Sequence, residues 1–455
     1  MSVLLNKKIG LFGLGVSGLS AFKLLNALNV FNETNPLIII NSGPKEIWGK
    51  DFLKNKNIIC VEEENALTEM IDQLELVILS PGIPRDHFLL KNLMEKKIPI
   101  WGEIELAYQY LEQQNALSPI IGITGTNGKT TVTTFLGELI SLKYSTFVGG
   151  NIGVPFCDYA LSIFGGQKKV DYIILELSSF QLESTERFHL NIGLMLNIFQ
   201  SHGERYAKVE DYLNSKILIA KNMNEAGLLI YPAENKIEFA DIDKKFTKYN
   251  TRKIKIDLEN PKTTFDLKLF KLPGIHNLMN LCFVVEVAKE LKIPSEIIQK
   301  SINSFKGVKH RIQFIESKNR EFKNIIFFND AKSTNWDATL TAISAMKNYE
   351  LPLYLILGGK LRGTGDSIIP FKKIILENVT KVYLIGESMN SIVEEADCSQ
   401  FVKSQTLDAS FKNFIKECQN KNAILLFSPA FPSFDQFKNY GERGEAFIKL
   451  INELP

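Results

Sequence analysis

Short apolar runs alternate with stretches of helical character along almost the whole chain, and this rhythm restricts the fold more than any other feature. The runs are Ile9 to Phe12, Leu37 to Ile40, Leu76 to Leu79, Ile120 to Ile123, Tyr172 to Leu175, Ile325 to Phe328, Leu353 to Leu357, Val382 to Ile385 and Ala423 to Phe427. Strands buried on both faces read as continuous apolar segments, and connections long enough to hold a helix join parallel neighbours. The pattern therefore predicts an α/β protein of parallel sheets with crossover helices. At 455 residues the chain exceeds what one core usually serves. Breaks at Ile98-Pro99-Ile100-Trp101-Gly102 and around Phe305-Lys306-Gly307-Val308 place domains at 1–100, 101–306 and 307–455. The stretch from Tyr231 to Leu272 is richer in charge and alternation, so a small peripheral sheet is expected there, apart from the main one.

Charge is nearly balanced at +2, with acidic clusters such as Glu62-Glu63-Glu64 offset by scattered lysines. That gives no electrostatic footprint for nucleic acid or an anionic membrane and points to small-molecule partners. Cys60, Cys157, Cys282, Cys398 and Cys418 are widely spaced and odd in number, which suits free thiols in a reducing compartment. No apolar segment approaches membrane-spanning length, so a cytoplasmic location is expected.

Gly125-Thr126-Asn127-Gly128-Lys129-Thr130-Thr131 follows the run Ile120 to Ile123 and precedes Val132-Thr133-Thr134-Phe135-Leu136, the order of a strand feeding a phosphate loop into a helix. Glycines let backbone N–H groups approach phosphate oxygens, Lys129 supplies charge to the β- and γ-phosphates, and the Thr130 hydroxyl can meet Mg2+. The generic motif places a further glycine five positions before Gly128, where this chain has Ile123. A second glycine turn, Gly13-Leu14-Gly15-Val16-Ser17-Gly18, follows the first apolar run and fits a Rossmann-like fingerprint. The next strand ends Ile40-Asn41-Ser42, without the carboxylate that would hold a dinucleotide's ribose, which argues against NAD. Ser80-Pro81-Gly82-Ile83 adds a small-residue turn at the same sheet edge. Both turns can also be read as purely structural.

Gly125 to Thr131, Gly149-Gly150-Asn151-Ile152-Gly153 and Leu175-Glu176-Leu177-Ser178-Ser179-Phe180-Gln181 together resemble the Mur ligase family of peptidoglycan precursor synthesis. Gly274-Ile275-His276-Asn277 with Asn280, His310-Arg311, Asn329 to Asn335, and Ser428 to Phe437 are similar, in order and spacing, to its D-glutamate-adding branch. The resemblance covers essentially the whole chain. It implies an N-terminal Rossmann-like domain for the UDP substrate, a central ATPase domain and a Rossmann-like C-terminal domain for D-glutamate. It also implies ATP and two Mg2+ ions, UDP-N-acetylmuramoyl-L-alanine and D-glutamate as substrates, and a monomer. The implied reaction is amide formation through an acyl phosphate.

By the same resemblance, the catalytic and metal set is Lys129, Thr130, Glu176, His202 and a carbamylated Lys216. Asn277, Asn280, Arg311 and Asp330 join the phosphate loop in framing ATP; Gly15, Val16, Ser17, Asn41, Ser42, Ser80, Gly82, Asn151, Ser178 and Gln181 face the UDP substrate. Lys332, Thr334, Arg362, Ser433, Phe434 and Tyr440 are assigned to D-glutamate. Read without the family, Glu176 is either a ligand or a charge at a strand end, His202 is a polar-segment histidine, and Lys216 is a solvated helix residue. Asn277 and Asn280 read equally as helix-start caps. Three departures from the family pattern stand out: no aspartate precedes His202 in Phe199-Gln200-Ser201-His202, Arg362 replaces a lysine, and Asn41 replaces an aspartate. Rival readings are another amide ligase of the superfamily, such as folylpolyglutamate synthase, or a nucleotide-binding regulator without turnover.

Overall fold

The computed structural model describes the chain except residues 1–3, 5, 49–51, 53, 67, 85–86, 200–204, 207, 234–241, 364–365, 420 and 455, and the side chains of 47, 68, 69, 209, 320, 337 and 348. His202 lies outside the described residues.

Three sheets form. The first has the order β3-β2-β1-β4-β5, built from β1 (Ile9–Phe12), β2 (Leu37–Asn41), β3 (Ile58–Glu62), β4 (Leu76–Leu79) and β5 (Ile100–Gly102), all parallel. The second runs β11-β10-β9-β6-β8-β7, from β6 (Ile120–Thr124), β7 (Thr146–Gly150), β8 (Tyr172–Glu176), β9 (Ile192–Met195), β10 (Leu228–Pro232) and β11 (Arg252–Ile256), again all parallel. The third runs β12-β13-β17-β14-β15-β16, from β12 (Gln313–Ile315), β13 (Ile325–Asn329), β14 (Leu353–Gly358), β15 (Lys381–Ile385), β16 (Phe401–Gln405) and β17 (Ala423–Phe427); β12 alone is antiparallel. Central strands such as β1, β6, β14 and β17 are buried along their whole length, which is why they read as unbroken apolar runs.

Every anticipated run is a strand, but one expectation changes. Among the described residues the Tyr231 to Leu272 stretch makes no separate sheet: β10 and β11 extend the second sheet to its edge. The alternation that suggested otherwise belongs to β11, Arg252-Lys253-Ile254-Lys255-Ile256, an edge strand largely open to water. Within the Ile98 to Gly102 passage, Ile100–Gly102 pairs with β4 and passes directly into the helix Glu103–Gln113.

The chain divides into two compact units, residues 1–263 with 279–298 and residues 264–278 with 299–455. Within the first unit, one apolar core takes in Leu11, Ile39 and Ile78 of the first sheet and Ile120, Ile173 and Leu175 of the second. The helices Val16–Ala27, Glu103–Gln113 and Phe156–Phe164 contribute Leu24, Ala107 and Phe156 to it. Polar ties reinforce the junction: Ser20 Oγ donates to Asp158 Oδ1 at 2.7 Å, and Glu103 accepts the Cys157 N–H. Burial pushes the Glu103 carboxyl up to about 7, against the Cys157 hydrogen bonds that favour its anion. Cys157, Cys282 and Cys418 are buried thiols, and Cys60 and Cys398 are half-buried. Among the described residues no helix is long and apolar enough to cross a membrane.

Glu105, fully buried, accepts the N–H groups of Glu186 at 2.8 Å, Arg187 at 3.0 Å and Phe188 at 3.0 Å, plus Gln109 Nε2 at 2.7 Å. Removing the carboxylate orphans those donors. Glu105→Ala is expected to lower unfolding free energy by about 3–5 kcal/mol, read as a reduced urea midpoint; Glu105→Gln, which keeps an acceptor oxygen, loses less.

Candidate active site

Strand β6 carries the chain into Gly125–Thr131, and the helix Lys129–Ser141 begins inside that loop. Gly128 sits at the helix N-cap with φ +82°, and a Cβ there would collide with Asn280 Oδ1, so the residue must be glycine on two grounds. The loop is clamped by a residue outside it. Asn197 accepts the Asn127 N–H at 2.9 Å through Oδ1, donates to the Asn127 carbonyl at 3.0 Å, and takes the Thr126 N–H on its own carbonyl at 3.1 Å. Lys129 Nζ reaches back to the Gly125 and Thr126 carbonyls, each at 2.9 Å, and Thr130 lies buried in the first helical turn.

Strand β8 lies beside β6 with Glu176 in register with Ile123, so the acid emerges next to the root of the phosphate loop. Glu176 is 2 % exposed; its Oε1 accepts Asn151 Nδ2 at 2.9 Å, whereas Oε2 is buried with no hydrogen-bond partner. An uncompensated carboxylate oxygen at a buried position is costly, and a hard cation is the partner that suits it. Lys216, on the helix Val209–Ile217, is not the solvated surface group its helix suggested. It is 1 % exposed, donates to the Gly125 carbonyl at 2.9 Å, and lies over the Tyr212 ring. Burial, reinforced by the charge of Lys129 and opposed by Glu176, pushes its amine down to about 6. Among the described residues no three His, Cys, Asp or Glu side chains gather as a ready-made metal cage. The donor set at this edge is instead a hydroxyl, one carboxylate with a spare oxygen and an amine. Ser178 and Gln181 are engaged with each other in a capping box at the start of the helix Ser179–Glu183, with Gln181 N–H on Ser178 Oγ at 3.2 Å and Ser178 N–H on Gln181 Oε1 at 3.0 Å.

At the first sheet, β1 lies between β2 and β4, so the turns after β1 and β4 part company at a topological switch, where ligands of open α/β sheets bind. Gly13 has φ +88° and donates to the Ile40 carbonyl at 2.8 Å; Ser80 Oγ donates to the Gly13 carbonyl at 2.9 Å. Asn41 Oδ1 accepts the Leu14 N–H at 2.9 Å, and open space faces Gly15 and Gly82, with Val16 well exposed beside them and Ser17 and Ser42 at the same edge.

In the second unit, Asp330 follows β13 and is 4 % exposed, accepting the Ile312 N–H at 3.1 Å and Ser428 Oγ at 2.7 Å. Its burial outweighs those bonds and pushes the carboxyl up to about 7. Lys332 N–H donates to the His310 carbonyl at 3.0 Å, which fixes the backbone before Thr334. Arg362 does not hang free: Nε meets Asp366 Oδ1 at 2.9 Å and Nη1 the Thr334 carbonyl at 2.6 Å. Ser433 is buried, its carbonyl taking the Phe437 N–H at 2.8 Å, while Phe434 and Tyr440 are exposed. Asn277 Nδ2 donates to the Pro273 carbonyl at 2.6 Å at the start of the helix Ile275–Glu290. Arg311, half-buried, depresses the neighbouring His276, whose burial is the larger cause.

Sequence reasoning missed two residues of these clusters. Asn197 belongs to no motif, although its place just past a strand end beside β6 is the available signal. Arg443, on the helix Tyr440–Asn452, is 1 % exposed, donates to the Ala331 carbonyl at 3.0 Å, and holds Nε and Nη1 buried with no hydrogen-bond partner. An arginine in an amphipathic helix reads as surface, so nothing in the pattern flagged it.

A profile of the Mur ligase middle domain matches residues 123–288. The UDP-N-acetylmuramoylalanine–D-glutamate ligase of Caldicellulosiruptor bescii is 34% identical over 479 residues, covering 98% of each chain. The enzyme of that name from Prochlorococcus marinus strain NATL2A is 32% identical over 474 residues, covering 97% of this chain and 96% of that one. Among solved structures, MurF from Acinetobacter baumannii aligns with a TM-score of 0.58 at 16% identity, covering 94% of this chain and 98% of that one. MurF from Thermotoga maritima in complex with ADP aligns at 0.56 and 17%, covering 93% and 97%, and these likenesses establish the fold alone. With its phosphate loop, its acid at the end of β8 and a third or so of its residues shared end to end with such relatives, the chain belongs to the Mur ligase family, in the branch of the UDP-N-acetylmuramoylalanine–D-glutamate ligases.

Proposed function

We propose that this protein is a cytoplasmic enzyme that joins D-glutamate to UDP-N-acetylmuramoyl-L-alanine, converting ATP to ADP and phosphate. The observation that carries this reading is the grouping at the carboxyl ends of β6 and β8: a phosphate loop, a buried acid with a spare oxygen and a buried lysine held near neutrality. The full-length likeness to D-glutamate-adding relatives supplies the substrates.

The chemistry divides into two displacements. An oxygen of the alanyl carboxylate bonds to the γ-phosphorus as the bond to ADP breaks, giving an acyl phosphate. The D-glutamate nitrogen then bonds to that carbonyl carbon, phosphate leaves with the bonding pair, and the nitrogen sheds a proton. The protein's share is to hold anions together in a fixed line and to offset their charge. Gly125 to Thr131 cradles the phosphates, and Lys129, now folded onto loop carbonyls, turns to the β- and γ-oxygens. Asn277, Asn280, Arg311 and Asp330 frame the rest of ATP. The turns at Gly15 to Ser17, Asn41-Ser42 and Ser80 to Gly82 take the UDP group, with Asn151, Ser178 and Gln181 on the muramoyl side. Lys332, Thr334, Arg362, Ser433, Phe434 and Tyr440 receive D-glutamate, its two carboxylates matched by cations, hydroxyls and loop N–H groups. Thr130 and Glu176 would hold one magnesium, and His202 with a carbamylated Lys216 a second; magnesium supplies charge neutralisation at the phosphates. In the division into 1–100, 101–306 and 307–455, the first domain takes the UDP group, the second carries the phosphate loop and the third carries the D-glutamate residues.

Purified protein is expected to release phosphate only when ATP, UDP-N-acetylmuramoyl-L-alanine and D-glutamate are all present; ATP binding without ADP formation would identify a silent nucleotide-binding protein instead. Glu176→Gln and Lys129→Ala should each lower kcat by about 10²–10³-fold with little change in thermal midpoint.

Carbamylation needs a neutral amine, which attacks CO2 and loses a proton to give an anionic carbamate. With its pKa held at about 6, the Lys216 amine is neutral at pH 7 to 8 and cationic below about 6. Activity should therefore hold through neutrality and fall as pH drops through about 6. A carbamate carbon resonance should appear on adding labelled bicarbonate and vanish in Lys216→Arg; a spectrum without it would remove this part of the reading.

A further inference from the structure

Arg205 makes three contacts that join separate parts of the first unit. Its Nη1 donates to the Pro81 carbonyl at 2.9 Å, in the turn after β4 of the first sheet. Its Nη2 meets Glu183 Oε2 at 3.1 Å, at the end of the helix that follows β8 of the second sheet. The guanidinium plane lies over the Phe180 ring, 3.9 Å from its centre, in that same helix. The side chain is 11% exposed and that of Glu183 17%, so the pair is largely shielded from water and salt.

The ties continue inward. Tyr206 OH donates to Glu183 Oε1 at 2.7 Å, and its ring lies on Phe180 and against Tyr212. Thr126 Oγ1 of the phosphate loop lies 3.4 Å from Tyr212 OH. One chain of contacts thus runs from the turn at Pro81 to the loop at Thr126.

We propose that Arg205 is a positioning residue of the ligase, fixing the turn Ser80-Pro81-Gly82 against the helix Ser179–Glu183 and, through Tyr206 and Tyr212, against the phosphate loop. The proposal builds on the reading of the first sheet as the sugar-nucleotide site and the loop as the ATP site. The two sheets do not need Arg205 to stay together, because they share an apolar core and are tied by Ser20 with Asp158 and by Glu105. What Arg205 adds is a polar tie at the carboxyl ends of β4 and β8, the edge where ligands of such sheets bind. A muramoyl nucleotide gripped at the first sheet must deliver its carboxylate to the γ-phosphate, so slack between the subsites is felt as misplacement of the attacking oxygen. A planar fork can serve a carbonyl, a carboxylate and a ring at once; an ammonium cannot.

The test compares Arg205→Ala, Arg205→Lys and Glu183→Gln with the parent, measuring KM for each substrate, kcat, the thermal midpoint and backbone hydrogen exchange. Expected is a KM for the muramoyl nucleotide raised about 10- to 100-fold in Arg205→Ala, with those for ATP and D-glutamate close to the parent's. Arg205→Lys should not restore it, millimolar guanidinium should restore part of it, and exchange at residues 80–83 should quicken. Glu183→Gln, which removes one prong, should shift the same KM less, and it carries the test should Arg205→Ala fail to fold. Parent-like KM values in Arg205→Ala, or all KM values moving together with a lowered thermal midpoint, would overturn the proposal. A parent enzyme that never makes ADP overturns the functional reading instead; exchange at residues 80–83 then decides the tie, and unchanged protection in Arg205→Ala sinks it.

Discussion

The parallel register of β6 between β8 and β9 is the constraint from which the rest of the site follows. Ile123 opposite Glu176 sets the acid beside the phosphate loop, and Thr124 opposite Met195 brings Asn197 to the loop's own backbone. Side chains alternate faces along a strand, so a slip of one residue would turn Glu176 away and present Leu175 or Leu177 in its place. Register here is held by burial on both sides: Ile121, Ile123, Ile174, Leu175 and Leu194 are all fully enclosed. A packed core thereby fixes the spacing of charged groups that could not fix it themselves.

Buried charge in this molecule separates into satisfied and unsatisfied kinds. Glu105 spends both oxygens on backbone N–H groups and anchors the chain from Glu186 to Phe188. Asp330 likewise has an acceptor role on each oxygen. Glu103 also has a buried oxygen without a hydrogen-bond partner, but burial lifts its carboxyl to about 7, so a proton answers much of the cost near neutrality. Glu176 differs by location, since its spare oxygen emerges where β8 ends beside a phosphate loop. Lys216 belongs to the same logic: a bare cation at that depth is unfavourable, and the neighbouring Lys129 makes it more so, which is why the amine is held neutral.

The sequence made the central strands legible because they are buried along their length, and Ile9 to Phe12 or Ala423 to Phe427 allowed no other reading. Edge strands were harder. Arg252 to Ile256 and Phe401 to Gln405 carry polar residues on faces open to water, so their runs are broken. Gly193 interrupts β9, hiding a strand that is nonetheless interior. The phosphate loop was legible because glycine, lysine and threonine at that spacing serve one chemistry. The burial of Lys216 and of Arg443 was not, because helix periodicity reports how apolar a face is, whereas these two are buried through packing by distant segments. Arg205 was hidden for a related reason: its partners, Pro81 and Glu183, are far apart in sequence.

The departures from the family pattern can be judged by what each atom now does. Asn41 places an amide oxygen on the Leu14 N–H, a bond an aspartate oxygen would make equally well, so the glycine turn keeps its shape and only the local charge changes. Recognition of a uracil through that position would then have to use a neutral amide. Arg362 is a different case. A lysine delivers one mobile ammonium, but here the fork is already spread between Asp366 and the Thr334 carbonyl, which leaves Nη2 without a hydrogen-bond partner among the described residues. Its charge is retained while its position is set by the Thr334 backbone, so any carboxylate it meets is read together with Thr334 rather than by a side chain free to follow the ligand.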